Sequence, residues 1–194
     1  MVKKTTVRLA QLGLLSALIV VLQLMSYSIK IGPFGLSLVL IPIVVGGAML
    51  GVEAGVILGG VFGFVVTMCC SFGLDGGMLW GINPFLTAAI CMGKGVAAGA
   101  AGAAVATVFR RMGKPTIGIF LSALTVPIVN TGLFLAALST FFYDALVLSA
   151  EGQNVVYYVI SGIVLINFVP ELLLNIVLAP VAQRVVGAVR RSKL

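Results

Sequence analysis

The spacing of the charges constrains this chain more than any other feature. Only 9% of the 194 residues are charged. They fall in clusters separated by apolar runs of about twenty residues, the length of helix that crosses about 30 Å of hydrocarbon. A soluble domain carries about a quarter charged residues. With 61% apolar residues and a mean hydropathy of +1.24, this chain cannot be wetted on all sides. Barrel strands would alternate polar and apolar in short segments, whereas these runs are long. The sequence predicts an all-α membrane protein, a single integral-membrane domain over 1–194. Six spans are expected, at about 9–27, 38–50, 54–72, 83–109, 116–142 and 155–186, joined by short loops.

The net charge of +7 follows from topology and needs no nucleic-acid partner. Lys3, Lys4 and Arg8 precede the first run; Arg110, Arg111 and Lys114 share one loop; Arg184, Arg190, Arg191 and Lys193 close the chain. Of the twelve basic residues only Lys30 and Lys94 lie elsewhere. An even number of spans puts all three clusters and both termini on one face, and the excess of Lys and Arg makes that face the cytoplasm. Asp75, Asp144 and Glu151 then fall in outer loops. The N-terminal segment has the basic and apolar parts of a signal peptide, but no Ala-x-Ala site follows before Lys30, so it is read as a true span.

Against this apolar background the buried polar groups stand out. In Asn167-Phe-Val-Pro-Glu171-Leu-Leu-Leu-Asn175 the three polar residues recur at i, i+4 and i+8, which lines them along one helix face. Pro170 removes a backbone donor from the same turn. An ionisable residue in a membrane helix is expensive and faces a bundle interior or a wet cavity, so Glu171 marks a site. The alternative is a structural clamp between helices. Lys94, about eleven residues into the fourth span, lies roughly 16 Å below its start. Asn130, beside Pro127 in the fifth span, shares that depth band with Glu171. The common depth suggests a Lys94–Glu171 ion pair, since either charge alone costs several kcal/mol in hydrocarbon. Tyr27, Trp80, Tyr143, Tyr157 and Tyr158 map to the outer boundary. They read either as an interfacial aromatic belt or, for Trp80 and Tyr143, as platforms for a planar ligand.

Small residues supply contact surfaces. Gly13 and Ala17 form a small-xxx-small pair on the first span. Gly47, Gly51, Gly55, Gly59 and Gly63 recur every four residues, either for tight packing inside the bundle or as a smooth face for a moving neighbour. Asn83-Pro84 has the form of a helix start, with Asn as cap and Pro in the first turn. Glu53 suits the N-terminus of the third span.

Catalytic constellations are missing from the sequence. Gly93-Lys94-Gly95 and Gly113-Lys114-Pro115 lack the remainder of a phosphate-binding loop. Ser161-Gly162 has no histidine base in a chain without histidine. Cys69, Cys70 and Cys91 have no metal or redox spacing, and paired acidic motifs for metal-dependent phosphoryl transfer are absent. The chain is read as a non-enzyme with no cofactor and no metal.

The order of motifs carries a resemblance. Gly13-Leu-Leu-Ser-Ala17 is followed by Leu40-Ile-Pro-Ile-Val-Val-Gly-Gly and Leu50-Gly-Val-Glu-Ala-Gly-Val-Ile-Leu-Gly-Gly-Val-Phe-Gly63. Then come Ile82-Asn-Pro-Phe, Lys94-Gly-Val-Ala-Ala-Gly99, Val126-Pro-Ile-Val-Asn-Thr131 and Asn167-Phe-Val-Pro-Glu171. Together they resemble the substrate-binding S components of energy-coupling-factor (ECF) vitamin transporters over nearly the whole chain. The resemblance implies a six-helix bundle in a bacterial plasma membrane and a vitamin site near the outer side, covered by the first outer loop. It implies docking through Gly13 and Ala17, in place of the usual Ala-xxx-Ala, onto a transmembrane T subunit that carries two cytoplasmic ATPases. On that basis Asn130, Asn167, Glu171 and Asn175 are the expected polar contacts, Lys94 a partner or ligand group, and Trp80 a residue that closes over them. Gly35-Leu-Ser-Leu-Val-Leu lacks the Asp-rich segment of riboflavin-type members, and one Trp supplies a thiamine site poorly. Lys94 favours a carboxylate such as pantothenate or folate, unless Glu171 neutralises it. The lean is to pantothenate, with riboflavin or folate as alternatives. The competing reading is a stand-alone secondary transporter with Lys94 and Glu171 as proton-coupling groups.

Overall fold

The computed structural model describes residues 4–26, 39–74 and 76–191, and among these every regular element is helical. α1 (Lys4–Ser26), α3 (Val52–Ser71), α5 (Pro84–Arg111) and α6 (Pro115–Phe141) are long apolar helices. The last long run consists of α8 (Val155–Tyr158), a π-helical stretch (Val159–Phe168) and α9 (Val169–Arg191). Among the described residues five helices are thus long and apolar enough to cross a membrane. The segment read as a span at 38–50 is the eleven-residue α2 (Leu40–Leu50). At 1.5 Å per residue it extends about 16 Å, roughly half of a hydrocarbon core. Its lower end is set by Gly51, which turns the chain at φ +95° directly into α3. Short as it is, α2 is mostly buried and touches α1, α3, α5, α6 and α9, so it forms the centre of the bundle.

Two stretches read as plain loops hold short helices, α4 (Gly77–Ile82) and α7 (Tyr143–Ser149). The expected start of α5 is present: Asn83 Oδ1 accepts a hydrogen bond from the Leu86 amide at 3.1 Å, and Pro84 occupies the first turn. α5 ends on Gly113 at φ +75°, where the Lys114 amide bonds the Phe109 carbonyl at 2.9 Å and the Gly113 amide bonds Arg110 at 3.2 Å. That paired pattern closes the helix and reverses the chain within three residues.

α3 and α5 run antiparallel with backbones in contact. A Cβ at Gly55 would strike the Gly99 carbonyl, one at Gly59 the Gly95 carbonyl, and one at Gly63 would lie 2.6 Å from the Cys91 carbonyl. The glycine series is therefore packing inside the bundle, and only Gly51, the turn residue, has open space beside it. Close backbone approach is the main source of helix association where lipid removes the hydrophobic drive.

Polar ties gather the basic clusters at one end. Arg8 Nη2 pairs with Glu53 Oε2 at 2.6 Å, Arg110 Nη1 donates to the Ala48 carbonyl at 3.3 Å, and Gln183 Nε2 to the Thr116 carbonyl at 3.0 Å. The beginning of α1 and the last turns of α9 thus lie at the same end as Arg111 and Lys114. The Arg8–Glu53 pair is exposed, so its worth is small. Asp144, Glu151, Trp80 and Tyr157 occupy the opposite end. Two apolar clusters stack along the bundle. The main one is built on α2, α3 and their neighbours, around Leu40, Ile43, Leu58 and Phe62. A smaller one at the end opposite the basic clusters joins Leu79, Leu138, Phe142, Leu146 and Ile163.

Candidate functional site

A cavity opens between these two clusters. Its apolar walls come from both: Val66, Cys70 and Cys91 on the main-core side, Leu79, Leu138 and Ile163 on the other. It offers about 70 Å³ to the centres of water molecules, where one water needs about 10–15 Å³.

The polar lining comes from four helical segments: α1 adds Gln23, and the other three contribute at helical spacing. α5 contributes Thr87, Cys91 and Lys94, one face at i, i+4 and i+7. α6 contributes Asn130, Thr131 and Phe134 one turn past Pro127, and the last run contributes Asn167, Phe168 and Glu171. Four of the expected contacts, Lys94, Asn130, Asn167 and Glu171, therefore meet at one place. Two do not line it. Asn175 is fully buried one turn below Glu171, where its Nδ2 donates to the Glu171 main-chain carbonyl at 2.8 Å. Trp80 is half-buried on α4 and packs against the main core, while its neighbour Leu79 faces the cavity. The first outer loop, with Tyr27 and Lys30, and Asp75 lie outside the described residues.

The aligned face of the last run points inward as its spacing requires: Asn167 and Glu171 are each 7% exposed and Asn175 not at all. A clamp between helices would show hydrogen bonds across the bundle. The bonds described for these three side chains instead stay on their own helix. Asn167 Nδ2 donates to the Gly162 carbonyl five residues back, at 3.1 Å, in register with the π-helical turn. That bond fixes which end of the amide faces the cavity, and Oδ1 is left without a partner among the described residues. Asn130 Oδ1 and Glu171 Oε1 share that condition. Pro170 has no N–H to donate to the preceding turn, as its ring nitrogen requires. The π register was not legible in advance; π turns are rare and concentrate at functional sites.

The expected Lys94–Glu171 ion pair is not formed. Both side chains face the cavity, yet the only ion pair among the described residues is Arg8–Glu53. Lys94 Nζ lies instead 4.6 Å from the centre of the Phe134 ring and 5.9 Å from that of Phe62. Aromatic faces attract a cation, more strongly where water is scarce. Both residues line one cavity, but a shared depth does not by itself bring two side chains into contact. Among the lining residues not anticipated are Gln23 on α1, Thr87 and Phe134. An amide in the apolar second half of the first span is a usable sign for Gln23. Phe134, at i+4 from Asn130, carried none.

Such a chamber, furnished with one ammonium and several unmet acceptors, is suited to holding a small polar molecule. No curated protein and no solved structure matches the chain. A family model, "ECF transporter, substrate-specific component", matches residues 7–182. That span takes in α2 to α8, the π-helical stretch, nearly all of α1 and most of α9, and with it every side chain of the cavity, and the chain belongs to this family of transporter subunits.

Proposed function

We propose that the cavity between the two apolar clusters is the capture site for a water-soluble vitamin or vitamin precursor, pantothenate being the favoured candidate. Membership of the family makes the chain a multi-pass membrane subunit that captures a small-molecule substrate for an ECF transporter. The finer reading rests on one observation above all. Lys94, Asn130, Asn167 and Glu171 converge on a single cavity without satisfying one another, a condition that costs about 1–3 kcal/mol for each unmet buried group unless a guest completes it. The absence of a Lys94–Glu171 pair leaves the ammonium available, which favours a carboxylate-bearing guest over riboflavin or thiamine.

Orientation follows from charge. The end carrying Arg8, Arg110, Arg111 and Lys114 is the cytoplasmic one by the positive-inside rule, so both termini are inside and the cavity lies towards the exterior. In this reading the eleven-residue α2 is counted as the sixth span. Gly13 and Ala17 face outward on α1 with nothing within 4 Å of a Cβ built at Gly13, a surface open to a T subunit. The two ATPases attached to that subunit would then drive release to the inside.

Calorimetric titration of pantothenate into the purified protein in detergent tests the site. Asn130→Ala and Asn167→Ala should each weaken binding by about tenfold or more with an unchanged melting temperature. Loss of thermal stability without loss of affinity would make these side chains structural. Uptake by the chain alone in liposomes, driven by a pH gradient, would favour a proton-coupled carrier instead.

A further inference from the structure

The cavity divides its polar chemistry unevenly, and the division describes the guest. Three side chains more than nine-tenths buried, Asn130, Asn167 and Glu171, each have an oxygen that accepts no hydrogen bond among the described residues. For Asn167 the assignment does not rest on an arbitrary amide orientation, because its nitrogen is held by the Gly162 carbonyl. Acceptors of this kind are met by O–H or N–H groups; another carbonyl or carboxylate would leave them unmet and add repulsion. Lys94 is the opposite case: three donors and a positive charge, attended by the faces of Phe134 and Phe62 and by no carboxylate in ion-pair range. Much of the remaining lining is apolar, with Leu138, Ile163 and Ile90 among it.

Taking the cavity as the capture site, we infer that it selects a carboxylate bearing two or more hydroxyl or amide N–H donors. The anion faces Lys94 on α5 and the donors face the acceptor wall of Asn130, Asn167 and Glu171. Selectivity in such a site comes mainly from the acceptor wall. A site built to receive hydrogen bonds rejects an analogue lacking the donors far more strongly than an apolar pocket rejects a missing methylene, because its buried acceptors are then stranded. The carboxylate sets affinity and its salt dependence.

Three probes separate the parts by titration against the full-length protein in detergent: pantothenate, with a carboxylate and hydroxyls; pantothenol, without the carboxylate; and N-(3,3-dimethylbutanoyl)-β-alanine, with the carboxylate and amide but without the hydroxyls. Pantothenate should bind most tightly, and the dehydroxylated acid about 100-fold or more weaker. Lys94→Met should weaken pantothenate by about tenfold or more while leaving pantothenol unchanged. Glu171→Leu should reduce the preference for pantothenate over the dehydroxylated acid. Equal affinity for the two acids, or Lys94→Met weakening pantothenol as much as pantothenate, overturns the inference while the cavity remains the capture site. Tight binding of riboflavin or thiamine that survives Lys94→Met does the same. A folded protein that binds none of these five compounds overturns both the inference and the capture site on which it rests.

Discussion

Lys94 and Glu171 show how little a shared depth in the membrane says about contact. Counting residues along two helices gives height with fair accuracy, because the rise per residue is fixed. Rotation about each axis is set by packing, and here it turns the ammonium towards Phe134 and Phe62. The energetic consequence is testable. Breaking a buried ion pair costs about 3–5 kcal/mol, whereas two charged groups that face one cavity without touching should couple more weakly. In a double-mutant cycle with Lys94→Met and Glu171→Leu, followed by thermal unfolding of ligand-free protein, the coupling should stay below about 2 kcal/mol. Glu171→Leu alone should hold or raise the melting temperature, since it removes a buried acceptor that nothing satisfies. A coupling near the value for a buried pair would show that the two charges meet in the membrane.

At the scale of elements, the α3–α5 contact holds the cavity's floor in place. Gly59 and Gly60 are neighbours in sequence and opposites in surroundings. A side chain at Gly59 meets the Gly95 main chain, which cannot yield, whereas a Cβ at Gly60 sits 3.7 Å from Val96 Cγ2, an ordinary contact. Gly59→Leu should therefore cost about 3 kcal/mol or more, visible as loss of monodisperse protein in detergent. Gly60→Ala should fold normally and gain about 0.5–1 kcal/mol from the lower chain entropy of alanine. If Gly59→Leu folds with ligand affinity intact, the two backbones are not in contact. The π-helical stretch Val159–Phe168 is the other element that matters, because it sets the angle at which Asn167 and Glu171 enter the cavity. Its apolar sequence differs in no obvious way from that of an α-helix. The choice between registers is a matter of one hydrogen-bond step.

Across the whole molecule, charge and shape separate two ends and two faces. With the native cysteines replaced, a single cysteine at Lys114 should react with a membrane-impermeant reagent only from the cytoplasmic side, and one at Gln153 only from outside. The reverse pattern would invert the transporter. Gly13 lies on an outward face of α1 with Leu14 and Leu18 exposed beside it. Gly13→Leu should leave folding and ligand affinity unchanged while the T subunit no longer copurifies. Retention of that subunit would place its docking surface elsewhere on the bundle.

The long-range plan of the protein was written in one dimension. Hydrocarbon thickness fixes span length, the distribution of Lys and Arg fixes which ends group together, and helical periodicity fixes that Asn167, Glu171 and Asn175 share a face. Each of these is a property of a single segment or of its charge, so no knowledge of neighbours is needed. What needed the folded structure was every relation between helices: that α2 is a short central helix, that Phe134 and Gln23 join the site, that Asn175 and Trp80 fall beside it, and that Lys94 meets aromatic rings before a carboxylate. Those outcomes depend on the rotation of one helix against another. In an apolar chain that rotation is set by where glycine lets two backbones touch, a property of the pair that neither helix carries alone.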